Sequence, residues 1–95
     1  MPEMHFRVRW PDQSLSNCYS PSSVIKDFFE PGESYPLSDF VQRSRNALGI
    51  ANERVRQKYG MPCGRAAAQL AEIEHRAERF ALFADATVTI ETFQE

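Results

Sequence analysis

Apolar and polar residues alternate without a break at the start of the chain, with Met4, Phe6, Val8 and Trp10 on one side and Glu3, His5, Arg7 and Arg9 on the other. That period of two predicts a half-buried strand. Pro11-Asp12-Gln13-Ser14 has the residues of a turn, Pro for its preset φ and Asp and Ser for local side-chain hydrogen bonds. Leu15 to Tyr19 then reads as a short returning strand, so the opening predicts an antiparallel hairpin. Ser20 before Pro21 has the form of an N-cap with Pro at the first helical position, and Val24, Ile25, Phe28 and Phe29 recur at helical spacing. The expectation is a short helix from about 21 to 30, ended by Pro31-Gly32.

Glu33 to Pro36 reads as a connector. From Leu37 the period changes: Leu37, Phe40, Val41, Ser44, Leu48, Ala51, Val55 and Tyr59 advance by threes and fours along one stripe. This predicts a long amphipathic helix that stops at Gly60, a residue suited to a left-handed C-terminal position. Met61-Pro62-Cys63-Gly64 is a tight link to a third helix, whose stripe is Ala66, Leu70, Ile73, Ala77, Phe80 and Ala84. Two long helices with so short a link are expected to form an antiparallel hairpin. From Ala86 alternation returns, Ala86, Val88 and Ile90 against Thr87, Thr89, Glu91 and Phe93, which predicts a final strand beside the first. The order is β-β-α-α-α-β. It defines an α+β fold in which a small antiparallel sheet of about three strands is covered on one face by three helices.

The 95 residues suit one domain over 1–95, with 42% hydrophobic residues and a rich aromatic set of seven Phe, three Tyr and one Trp to build its core. No run is long and apolar enough to span a membrane, and Glu3, His5, Arg7 and Arg9 do not make the apolar stretch of a secretory signal, so a cytoplasmic location is expected. Cys18 and Cys63 are too few for a disulfide scaffold and read as free thiols. An open sheet edge in so small a fold suggests a homodimer.

Charge changes the picture because it is unevenly spread. Residues 1–36 carry −2, residues 37–60 carry +3 and residues 61–95 carry −3, within a net −2. The basic middle helix and acidic last helix suit each other as neighbours, and Arg43, Arg45, Arg54, Arg56 and Lys58 also form a candidate docking surface for an acidic partner. Nucleic acid is disfavoured by the overall acidity and by the lack of interleaved aromatic platforms.

Cys63 is the strongest nucleophile candidate, placed where a helix begins, with Gly64 and Arg65 following; backbone N–H groups and a guanidinium there favour thiolate. The alternative is a small apolar cap packed under the interhelical turn. A nucleophilic enzyme also needs a base, and His5 on the outer strand face and His75 amid mid-helix charges read as surface residues. Cys18, Cys63, His5 and His75 match a zinc ligand count but contain no paired ligand spacing, so no metal is expected, and the glycines form no phosphate loop, so no cofactor is either. Cys63, Gly64, Arg65 and Cys18 remain the candidate ligand-binding set, for a carboxylate or phosphate held at the helix start.

Six stretches point beyond this chemistry: Met1-Pro-Glu-Met-His-Phe-Arg-Val-Arg-Trp-Pro-Asp12, Cys18-Tyr-Ser-Pro-Ser22, Tyr35-Pro-Leu37, Ala51-Asn-Glu-Arg-Val-Arg56, Lys58-Tyr-Gly-Met-Pro-Cys63 and Gln69-Leu-Ala-Glu-Ile73. Over nearly its full length the chain resembles the small nitrogen-starvation-response protein family of bacteria and cyanobacteria. These stretches are family signatures rather than catalytic motifs. The resemblance implies a gene cluster with a nitrilase, a radical-SAM enzyme, an acetyltransferase-like protein, a synthetase-like protein and a flavoprotein, concerned with nitrile or cyanide nitrogen. Two expectations follow from different classes: a non-catalytic accessory that docks on a clustered enzyme or a small anionic intermediate, or a small cysteine-dependent enzyme or covalent carrier using Cys63, with Cys18 or His5 assisting.

Overall fold

The computed structural model describes residues 3–95; Met1 and Pro2 of the first signature stretch lie outside them. Strands β1 (Met4–Arg9), β2 (Leu15–Ser20), β3 (Ser34–Pro36) and β4 (Thr87–Gln94) form one antiparallel sheet in the order β2-β1-β4-β3. Helices α1 (Leu37–Tyr59) and α2 (Gly64–Glu78) form the hairpin that covers its inner face. The α+β class and the pairing of the terminal strand with the first are as the sequence patterns predict. The counts differ: the described residues form four strands, two α-helices and a single 3-10 turn.

The predicted helix over 21–30 is that turn, Ser23–Asp27. Its cap is Ser22, whose hydroxyl accepts from the Val24 N–H at 3.3 Å. Ser20 instead closes β2 and donates its hydroxyl to the Ser22 carbonyl. So little chain separates that strand from Phe29, which must reach the core, that one tight turn with i to i+3 bonding fills it. The predicted connector contains β3, a strand too short to show a period in sequence; Pro36, with no N–H to give, lies on this sheet edge.

The first and last strands meet through an irregularity that simple alternation hides. Val8 pairs with Ile90, but Arg7 pairs with Thr92, leaving Glu91 as an extra residue in β4. This β-bulge reverses the alternation beyond it. Phe93, expected opposite Val88 and Ile90, thereby joins their face and lies against Phe6 with ring centroids 6.5 Å apart. Glu91 is left to receive Arg9 Nε at 2.8 Å on the outer face.

The inner face is apolar because β1 supplies Met4, Phe6 and Val8, and β4 supplies Val88 and Ile90, all essentially inaccessible. Trp10, just past β1, closes this layer: its indole stacks on Phe80 at 5.9 Å, meets Phe40 edge-on at 5.5 Å and donates through Nε1 to Ser16 Oγ at 2.9 Å. Removing such area from water stabilises by roughly 25 cal/mol per Å². The two helix stripes run as predicted, with two exceptions. Tyr59 is 67% exposed because α1 outruns the sheet, and Ala84 lies past the end of α2, in the turn that carries Phe80 back into the core.

Ser44 is fully buried on α1 and its hydroxyl has no hydrogen-bond partner among the described residues. An unpaired buried hydroxyl costs about 1–3 kcal/mol. Ser44→Ala is therefore expected to raise stability by about 1 kcal/mol in urea denaturation, with unchanged slope; a loss of stability would show that the hydroxyl is bonded.

Candidate functional site

The tip of the helical hairpin assembles most of the candidate ligand-binding residues. Helix α1 ends at Gly60, whose φ of 81° is the left-handed exit anticipated from sequence, and Pro62 leads into Cys63, the N-cap of α2 with φ −84° and ψ 107°. Asn52 Oδ1 accepts the Cys63 N–H at 2.5 Å and so ties the incoming turn to α1. Gly64 and Arg65 open α2. The Arg65 guanidinium lies 3.9 Å over the Tyr19 ring and 3.8 Å from Glu3. Cys63, half-buried, lines a cavity of about 320 Å³ with Glu3, Tyr19, Pro21, Val55 and Tyr59.

Cys18 does not join them. It faces the opposite side of β2 from Tyr19 and is buried in the core, paired across the sheet with Phe6. Burial, with a smaller contribution from Glu72 and against the pull of Arg76, pushes its thiol up to about 12. Such a group stays protonated and apolar. Tyr19 is also raised from its ordinary value, by burial first and then by Cys63 and Glu3, with Arg65 opposing. His5 meets the Tyr19 ring edge-on at 5.7 Å on the outer sheet face, while His75 is exposed on α2. Among the described residues no three His, Cys, Asp or Glu side chains come together to hold a metal.

The five bases of the candidate docking surface do not form one patch. Arg43 donates to Asp39 and to the Phe28 carbonyl while lying 4.9 Å over Tyr35. Arg45 crosses to Glu74 of α2, the basic-to-acidic helix complement expected from the charge split. Arg54 reaches Ser22 Oγ at 3.2 Å. Only Arg56, paired locally with Glu53, and Lys58, over its neighbour Tyr59, stand at the hairpin tip facing solvent. There they flank Tyr59 and Met61, exposed to 67% and 71%.

The model of a family described as nitrogen starvation-induced protein NitG matches residues 5–93. The chain belongs to the NitG family. Membership ties it to nitrogen starvation and accounts for the signature stretches, since the match runs through almost all of them. No curated protein and no solved structure matches the chain. No helix among the described residues of this NitG chain is long and apolar enough to cross a membrane.

Sequence reasoning missed Tyr19, Glu3, Asn52 and Val55 as parts of the tip. Tyr19, Asn52 and Val55 belong to predicted elements, and nothing local signals that β2, α1 and α2 converge there.

The two thiols should behave differently. A native chain treated with a colorimetric disulfide reagent near neutral pH should release one equivalent quickly from Cys63 and the second only on denaturation. The Cys18 effect on stability has a definite sign. The folded thiol keeps its proton well above the ordinary 9.0, so its contribution is complete below that value and is lost as pH rises towards about 12. Between those limits the wild type should lose stability more steeply than Cys18→Ala; equal slopes would contradict the assignment.

Proposed function

We propose that the chain acts in the nitrogen-starvation response as a non-catalytic accessory protein, docking through the tip of its helical hairpin on an enzyme of that response or on a small anionic intermediate. The observation that carries this reading is the grouping of Tyr59 and Met61, both largely exposed, with Arg56, Lys58 and Arg65 at one end of the molecule. Aromatic residues, Met and Arg are enriched at protein interfaces because each offers large contact area or several donors for little ordering cost. The cavity beside Cys63 adds a recess of side-chain size.

The competing reading makes Cys63 a covalent nucleophile. Its support is the position of Cys63 at a helix start and on the wall of that recess. It also needs a base to take the thiol proton. The phenol lining the recess, Tyr19, is raised above its ordinary value and so holds its own proton at neutral pH, where it cannot serve as that base. Cys18 is buried on the other face of the strand.

The enzymes implied by the family resemblance, a nitrilase, a radical-SAM enzyme and a flavoprotein, provide the test. Immobilised wild-type chain should capture one of them as a purified protein, and Arg56→Glu with Lys58→Glu should weaken capture at least about tenfold, the loss expected from placing like charges at an interface. Cys63→Ser should capture normally. No capture of any of the three would count against the accessory role, and loss with Cys63→Ser alone would favour the covalent one.

A further inference from the structure

A second, wider recess lies at the opposite end of the helical hairpin. The start of α1, the end of α2 and the turn after it enclose an open groove of about 760 Å³, walled by Val41, Ala77, Phe80 and Phe83. Its floor is rigid, since Phe80 is 5% exposed and stacked on Trp10, and Phe83 meets Phe80 edge-on at 5.2 Å. Backbone bonds of i to i+3 type from Phe80, Ala81 and Phe83 hold the turn. Beside the groove, Leu82 is 99% exposed and Phe83 is 53% exposed.

The rim of this groove is acidic. Glu74, Glu78 and Asp85 line it against one base, Arg45, which is already paired with Glu74. Among the described residues no cation lies within ion-pair distance of Glu78 or Asp85. The hairpin tip has the reverse character: Lys58 and Arg56, the latter paired with Glu53, stand there beside exposed Tyr59 and Met61. One end therefore offers Tyr59 and Met61 beside Arg56 and Lys58, and the other a groove whose aromatic floor, Phe80 and Phe83, lies under an acidic rim. The two ends are separated by α1, whose 23 residues span about 34 Å at 1.5 Å each, in a molecule 42 Å long. No chain can seat its own tip in its own groove.

We propose that the hairpin tip of one copy, Lys58 to Met61, docks in the groove between α1 and α2 of a second copy, with Tyr59 and Met61 against Phe80 and Phe83, and Arg56 and Lys58 facing Glu78 and Asp85. The contact is head-to-tail. One such contact leaves the groove of the first copy and the tip of the second free, so further copies add at both ends and the assembly propagates to a ring or a filament. Two anchoring side chains and a few exposed charges bury little surface, so the association is weak and salt-sensitive. It shares the tip with the accessory docking face but not its partner, and the purified chain alone tests it.

Sedimentation of the full chain from micromolar to millimolar concentration at low salt should show assembly beyond a monomer, weakened by added salt. A tip variant, Lys58→Glu with Tyr59→Ser, and a groove variant, Glu78→Lys with Leu82→Ser, each change only exposed side chains and should each weaken self-association about tenfold or more. Mixed, they should form a dimer that goes no further, because each retains one working end. A chain carrying Lys58→Glu and Glu78→Lys together should recover association. A monomer throughout the concentration range overturns the proposal. So does assembly indifferent to both variants, or mixed variants that fail to pair.

Discussion

The indole of Trp10 is the contact on which the other parts of the structure depend. It lies just past the central strand, so it reaches beyond the sheet without leaving its inner face. There it stacks on Phe80, meets Phe40 of α1 edge-on, and donates to Ser16 of β2. Arg76 of α2 lies 5.6 Å from the same ring and donates to Ser14 and Ser16. One side chain thus joins the first hairpin, both helices and the turn leading to β4. A small sheet with only two helices to cover it has little redundancy, which gives this junction its weight.

That junction also determines where function can reside. Because Phe80 is drawn in towards Trp10, the chain after α2 must turn sharply. Leu82 and Phe83 are then left outside, framing the acidic groove. At the other end α1 continues past the sheet, so Tyr59 has no layer to cover and faces water. The four most exposed large apolar residues, Tyr59, Met61, Leu82 and Phe83, therefore lie near the two ends of the helical hairpin. Membership of the NitG family sets this in the context of nitrogen starvation.

Much of this was legible in sequence wherever a period persisted. Met4 to Trp10, Leu37 to Val55 and Ala66 to Ala77 keep their periods long enough to reveal strand and helix, and Pro62 and Gly64 correctly mark Cys63 as the start of a helix. What failed had physical causes. Glu91 adds one residue to β4 and so exchanges the faces beyond it, which sets Phe93 against the core. β3 is shorter than any detectable alternation. Tyr59 continues the stripe of α1, but a stripe predicts burial only where something lies opposite. Cys18 stood beside Cys63 in the candidate ligand-binding set, and only the facing of β2 separates this inert core thiol from the one lining a recess.

Because Trp10 is the sole tryptophan, its fluorescence reports directly on the junction that the account makes central. Urea unfolding followed by indole emission and by far-ultraviolet circular dichroism should give coincident transitions with a single midpoint, since sheet and helices lose their shared contact together. Helical signal lost at a lower urea concentration than the buried-indole emission would contradict this account, for it would show a sheet and a tryptophan environment that persist without the helices said to depend on them.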